Sequence, residues 1–485
     1  MLQPEFDGDA EPKRLQHTRQ ARRPPQDSLR SEPSQQPTRA SSRELVYFSS
    51  VGRLGPLVFS CGGSHEPRCP SQQFQHEQPL ELRPRLAIDS LIGLARRIRP
   101  YWICFFKWFM MRRISAAPRQ DWQLEVERIG FTYHTIDNEL YWDESGWFEF
   151  SMAEIERIES ATALLHAMCL EAVECVLEDR RLDEFDIPAP FHEWIHESWD
   201  RDEPTLYGRF DLAWDGHGDP KLLEYNADTP TSLFEAAVVQ WDWLQAVHPH
   251  CDQFNSLHEE LLASWKYLSQ HGWNDLTFAA TPGHEEDFGN ITYLRDTAQQ
   301  SGIRTQYIDI SDIGYAPNLR RFISPDGHVL ERLFKLYPWE WMLAEEYGQQ
   351  LLVAPAHWIE PPWKMILSNK AILVVLWELF PNHKYLLETS WSPLSGDCIE
   401  KPIVSREGSN IRLLRSGRVE LQTDGPYGEA DKIYQAYHPL FRSSFGNAVL
   451  GSWIIGDRAC GLGIREDLNP ITHNTSRFVP HLIRG

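Results

Sequence analysis

The sequence predicts an α+β protein. Three observations carry that reading: a capped amphipathic helix that begins at Ser151, a strand–helix–strand unit over residues 276–310, and two alternating runs that flank a turn-rich hexapeptide at residues 215–220. No segment repeats another, and strand-like and helix-like pieces continue to alternate irregularly to the end of the chain.

The chain has 485 residues, 42% of them hydrophobic and 19 of them Trp. It can therefore bury a large core and divide into two or three domains. Charge is uneven: residues 1–114 carry 18 Lys/Arg against 11 Asp/Glu, and the rest carry 29 against 58, within a formal net charge of −22. An acidic body with no basic, aromatic-interleaved cluster argues against a nucleic-acid partner and suits small cations, metals and polyamines. Eight Cys, without a CxxC pair or zinc spacing, point to reduced thiols and a cytoplasmic setting.

Residues 1–80 are rich in Gln, Ser, Pro and Arg and predict disorder. Residues 101–111 are apolar except for Lys107, with Arg96, Arg97, Arg99, Arg112 and Arg113 beside them. That stretch is too short to span a bilayer; a surface-lying segment is the membrane alternative. The expectation is that residues 1–110 form a poorly ordered, dispensable basic extension, with Met110 or Met111 as the effective start.

At Ser151 a capping box with Glu154 opens a helix whose face carries Ile155, Ile158, Leu165, Cys169, Ala172 and Val176. Cys169 and Cys175 read as apolar packing. A strand over 276–280, a loop holding Pro282 and Gly283, a helix over 291–300, Gly302 and a strand over 305–310 make a βαβ-like unit. The loop from His284 to Asp287 lacks a phosphate-binding glycine pattern. Helices over 339–347 and 370–379 and strands over 384–387, 403–404, 433–437 and 449–455 are expected after it.

The segment Arg209-Phe210-Asp211-Leu212-Ala213-Trp214, a loop from Asp215 to Pro220, and Lys221-Leu222-Leu223-Glu224-Tyr225-Asn226 read as a β-hairpin. Pairing Asp215 with Pro220 sets Asp211 opposite Glu224 and Arg209 opposite Asn226, all on one face. Two opposed carboxylates repel unless a cation lies between them. A magnesium ion held by Asp211, Glu224 and the amide oxygen of Asn226, with phosphate oxygens completing its shell, fits that need. Arg209 on the same face suits a bidentate grip on phosphate or carboxylate. The plainer alternative is a solvated face closed by an Arg–carboxylate pair. Past the hairpin, Thr229 and a second capping box formed by Ser232 and Glu235 offer hydroxyls and open N–H groups for an anion beside the metal.

Arg209-Phe210-Asp211 and Leu223-Glu224-Tyr225-Asn226-Ala227-Asp228-Thr229, with several later motifs, resemble the synthetase domain of the glutathionylspermidine synthase family, and most closely its stand-alone bacterial relatives. The resemblance covers residues 111–485. It implies an ATP-grasp fold with a smaller α/β (pre-ATP-grasp) domain before it: residues 111–275 as the N-terminal part with the metal hairpin, 276–355 as the pre-ATP-grasp-like region and 356–485 as the nucleotide-binding part. It also implies magnesium on Asp211, Glu224 and Asn226, and ATP on Lys370 and Lys401. Gly408 falls in a mobile loop that closes over the phosphates, and Gln435 and Tyr437 fall on or beside the strand that binds adenine. Arg465 matches an arginine that meets the transferring phosphate, and Glu340, in Lys335-Leu336-Tyr337-Pro338-Trp339-Glu340-Trp341, faces the acid or amine. Ordinary packing explains the aromatic residues of that motif equally well. The amidase domain of the bifunctional family members has no counterpart here, so the reaction type is better specified than its substrates.

A carboxylate is a poor acyl donor until ATP converts it to an acyl phosphate that an amine can attack. That chemistry needs positioning and charge neutralisation, supplied by Arg209, Arg465, the two lysines and magnesium, with Thr229, Ser232 and Glu340 on the substrate side, where Glu340 or Asp467 is the candidate to bind the amine as a cation and accept its proton. The expected substrates are a small, peptide-like carboxylic acid and an amine or polyamine. A nucleotide-binding scaffold without activity and a phosphotransferase of the same fold are the alternatives.

Overall fold

The computed structural model describes residues 110–485, so the expectations for the extension lie outside the described residues up to 109. Helix α1 (Met152–Glu178) is the first long element. The predicted capping box is present: Glu154 Oε2 accepts from Ser151 N at 2.7 Å and Ser151 Oγ at 2.9 Å. All six predicted face residues are buried, while Cys175 is only half-buried. By length and composition α1 is apolar enough to cross a membrane, but its apolar face packs on strands and a second helix as a core helix does.

Strands β1 (Tyr207–Ala213) and β2 (Lys221–Asn226) form the predicted hairpin. Arg209 pairs with Asn226, and Asp211 with Glu224, as the register arithmetic requires. Closer to the turn the register is corrected: Leu212 pairs with Leu222 and Ala213 with Lys221, because a bulge at Leu223 takes up one residue. Alternation then separates the two faces. Phe210 and Tyr225 stack at 3.8 Å on the buried side, and the Tyr225 hydroxyl lies 3.1 Å from His166 Nδ1 of α1. Each such ring contributes roughly 1.5–3 kcal/mol by burial. Arg209, Asp211, Glu224 and Asn226 are left on the other side.

β3 (Asp275–Ala280), α2 (Glu285–Gln300) and β4 (Arg304–Asp309) realise the βαβ unit, with α2 starting six residues before its predicted position, in the first acidic turn Glu285, Glu286 and Asp287. Negative charge at a helix N-terminus favours that earlier start. β5 (Arg332–Leu336), helix α3 (Trp339–Ala344) and β6 (His357–Ile359) follow. The four strands form a parallel sheet in the order β6-β5-β3-β4.

Helix α4 (Ile372–Leu379) precedes an antiparallel sheet containing β7 (Cys398–Pro402), β8 (Arg412–Arg415), β9 (Arg418–Gln422) and β10 (Lys432–Ala436). Residues 384–387 are not a strand. They are irregular, though the Tyr385 carbonyl accepts from Leu222 N at 2.8 Å. Finally β11 (Asn447–Ile455) and β12 (Arg458–Asp467) pair antiparallel, and β11 also pairs with β1. The hairpin thus sits at one end of a sheet shared by early and late parts of the chain, with its polar face toward the second antiparallel sheet.

Candidate active site

The polar face of the hairpin is a connected network. Arg209 donates through Nε to Asp211 Oδ1 at 2.7 Å and through Nη2 to Oδ2 at 3.0 Å, and its Nη1 donates to the Thr231 carbonyl at 2.7 Å. Asn226 Nδ2 donates to Asp211 Oδ2 and to Glu224 Oε1, both at 3.3 Å. Glu224 Oε2 lies 3.2 Å from Lys370 Nζ. Burial pushes the Asp211 carboxyl above its usual value, against Arg209, with Glu224 adding to the rise. For Glu224 the same burial is overcome by Lys370 and Lys401, which hold it at about 2.

The two lysines expected to serve ATP reach this face from separate elements. Lys370, just before α4, donates to the Ser405 carbonyl at 2.7 Å. Lys401 on β7 donates to the Leu223 carbonyl at 3.0 Å and to Gln435 Oε1 at 2.8 Å. Gln435 Nε2 in turn donates to the Leu222 carbonyl at 3.0 Å. The carbonyls at and beside the bulge therefore tie the hairpin to the β7–β10 sheet. Burial, with Lys370 adding to it against Glu224, lowers Lys401 to about 8.

Gln435 thus joins the network by its side chain. Tyr437 does not: its N–H donates to the Asp397 carbonyl at 2.9 Å, and Arg415 lies over its ring at 4.0 Å. Gly408 has φ +66°, and a Cβ there would stand 2.2 Å from the Thr472 carbonyl, so the loop after β7 lies against the C-terminal tail. Only glycine allows that approach.

A second group gathers beyond the C-terminal ends of the parallel strands, the edge where open α/β sheets bind ligands. Arg406 donates to Thr229 Oγ1 at 2.8 Å and to Glu340 Oε1 at 2.7 Å, and lies over the Trp341 ring at 5.6 Å. Asp228 fixes the spacing of Thr229 and Glu340: it accepts from Lys335 Nζ at 2.5 Å and from the Trp339 N–H at 2.9 Å, with both charged groups buried. Asp228 and Lys335 lie inside motifs quoted from the sequence and Arg406 lies between Lys401 and Gly408, yet the sequence reading gives none of the three a role. The signal was three charges of suitable sign in polar motifs; what joins them is tertiary.

The expected capping box at Ser232 is corrected. Ser232 has φ +67°, outside the extended region that an N-cap uses. The Leu233 and Phe234 N–H groups both donate to Asn290 Oδ1, at 3.0 and 3.3 Å, so they are not open to an anion. Glu235 accepts instead from the Tyr141 hydroxyl at 2.7 Å. Burial, reinforced by Glu286, pushes Glu235 up to about 7. Arg465 lies 3.4 Å from Ser232 Oγ but spends its stronger bonds on the Ser476, His473 and Asn474 carbonyls, each at 2.9 Å.

Among the described residues no group of three or more His, Cys, Asp and Glu forms a metal cluster. The hairpin offers two carboxylates and one amide. That donor set suits magnesium, which takes one or two protein carboxylates and leaves places for phosphate oxygens and water. The amide nitrogen of Asn226 now bridges the two carboxylates, and rotating that amide presents its oxygen in the same position. The residues fit the ion.

The family model described as glutathionylspermidine synthase preATP-grasp matches residues 113–484. A Haemophilus influenzae protein named "Putative acid–amine ligase" is 39% identical over 390 residues, covering 76% of this chain and 99% of that protein. Trypanothione synthetase of Crithidia fasciculata is 27% identical over 65% of the chain and 53% of its own length. The bifunctional glutathionylspermidine synthetase/amidase of Escherichia coli is 27% identical over 66% of the chain and 58% of its own length. The chain spans a little over half of each of the latter two.

Proposed function

The chain belongs to the glutathionylspermidine synthase preATP-grasp family, and from that premise we propose that it is a ligase that uses ATP and magnesium to join a carboxylic acid to an amine. The observation that carries the reading is the hairpin face, where Asp211 and Glu224 oppose each other within reach of Arg209, Lys370 and Lys401. When bound, magnesium supplies charge neutralisation for the phosphates. Asp211, Glu224 and Asn226 hold it, and Lys370 and Lys401 orient the nucleotide phosphates as point charges. Arg209 steadies the carboxylate that becomes an acyl phosphate, and Arg465 approaches from the Ser232 side. Burial of these donors makes each worth more than in water.

In this reading the fold is an ATP-grasp, with residues 276–355 as its pre-ATP-grasp region and 356–485 as its nucleotide-binding part. Adenine lies along β10 near Gln435 and Tyr437, and the Gly408 loop covers the phosphates. Thr229, Ser232 and Glu340 belong to the substrate side. The five cysteines of the described residues are free, which suits a reducing, cytoplasmic setting.

Hydroxylamine trapping tests the ligase. With ATP, magnesium and a panel of small acids, an acyl-phosphate enzyme releases hydroxamate from at least one acid, and an Asp211→Asn control does not. ATP consumption with a hydroxyl acceptor and no hydroxamate identifies a phosphotransferase. Nucleotide binding without turnover on any acid identifies a scaffold.

A further inference from the structure

A pocket of about 220 Å³ opens beside the hairpin, between Asn226, Thr229, Glu340 and Arg406. Pockets for drug-sized ligands run from about 300 to 1,000 Å³, so this one suits a single amino-acid-sized unit. Phe185, Ile187, Leu343 and Met365 give the lining an apolar part, beside the polar Ser368, Asn369 and Ser405. Phe185 and Ile187 come from the segment after α1, to which the sequence motifs assign nothing.

Its charges are paired in an informative way. Glu340 and Arg406 share one ion pair at 2.7 Å across the lining, and Asp186 stands at the exposed rim. Arg406 and Glu340 both line the pocket and keep 29% and 35% of their side-chain surface exposed, so each still presents its charge to a ligand. A ligand that carries both a carboxylate and an ammonium can replace this ion pair without stranding either partner. A polyamine brings only cations and leaves Arg406 without a carboxylate. An acid without an amine places its carboxylate against Glu340.

We propose that this pocket binds the amine substrate of the ligase, and that this substrate is a zwitterionic, amino-acid-sized amine with an apolar side chain. The inference rests on the ligase reading. Arg406 takes the carboxylate, Glu340 takes the ammonium, and the side chain packs on Phe185, Ile187, Leu343 and Met365. In the transfer step the nitrogen lone pair attacks the acyl carbon, the C–N bond forms, and the C–O bond to phosphate breaks with its electron pair leaving on oxygen. Of the two protons the ammonium gives up, one passes to Glu340 and one leaves as hydrogen phosphate.

Isothermal titration of the full chain with four probes tests it: L-leucine, 3-methylbutylamine, 4-methylpentanoate and spermidine. L-leucine is expected to bind, the two half-analogues at least tenfold more weakly, and spermidine not at all. Leu343→Trp, checked for folding by its thermal melt, is expected to abolish L-leucine binding, and Leu343→Ala to shift preference toward L-phenylalanine. Binding of spermidine in place of L-leucine, or L-leucine binding unchanged in both Leu343 variants, overturns the proposal. Hydroxylamine replaces the amine in the trapping assay, so the two readings fail separately. Hydroxamate formation without L-leucine binding removes the pocket's role alone, whereas L-leucine binding with no hydroxamate from any acid removes the ligase and the amine role with it.

Discussion

Glu224 and Glu235 lie close together in the chain, yet their surroundings drive them in opposite directions. Glu224 stands on the hairpin face with Lys370 at 3.2 Å and is held at about 2 despite burial. Glu235, fully buried, has a tyrosine hydroxyl as its side-chain partner, with one carboxylate oxygen unpaired, and rises to about 7. Burial raises both. What differs is whether lysines stand near enough to reverse it. The first environment keeps a permanent anion, and the second keeps a carboxyl that changes charge near neutrality.

The largest expected effect comes from removing an anion where cations surround it. Asp211→Asn should lower ATP-dependent turnover by about a thousandfold, the scale of losing a preorganised electrostatic contact. Steady-state phosphate release measures this, and a loss below tenfold breaks the assignment. Next, Asp228→Asn strands the buried Lys335 charge and should cost about 3 kcal/mol in urea unfolding. It extends the comparison to a carboxylate whose cation is wholly internal.

Glu235→Gln probes the other environment. Its folded pKa lies above the ordinary carboxyl value, so its contribution to stability is full at low pH and is lost as pH rises through about 7. The variant should unfold like the parent near pH 4 and exceed it by roughly 2–3 kcal/mol near pH 8.5. Equal pH profiles in the two proteins contradict the assignment. The smallest effect belongs to Lys401, lowered to about 8. ATP affinity should weaken a few-fold between pH 7 and 9 as that charge is lost, and Lys401→Arg should flatten the profile.

The same contrast explains what the sequence disclosed. On the hairpin, strand alternation places Arg209, Asp211, Glu224 and Asn226 by counting, since neighbours across two strands follow from register. α1 was legible for a similar reason: its cap and its apolar face are local. The corner around Glu235 was misread because Ser232 followed by Glu235 matches a capping box, while its left-handed backbone and the Asn290 cap arise from a helix distant in sequence. Arg406 reaches Thr229 and Glu340 across three separated segments, a relation that no periodicity encodes. Residues 384–387 read as a strand from their apolar run, but one backbone bond from Leu222 and a local turn, in which Leu386 N–H donates to the His383 carbonyl, take the place of a ladder.

The bulge at Leu223 gives the hairpin a slip joint. Site-side pairs and turn-side pairs run in registers that differ by one residue, and the Leu222 and Leu223 carbonyls anchor the offset to Gln435 and Lys401. A gain or loss of one residue in the loop near Asp215–Pro220 can therefore be absorbed by losing or moving the bulge, without turning Asp211 and Glu224 to the opposite face. The loop can change by one residue while the carboxylate pair stays in phase.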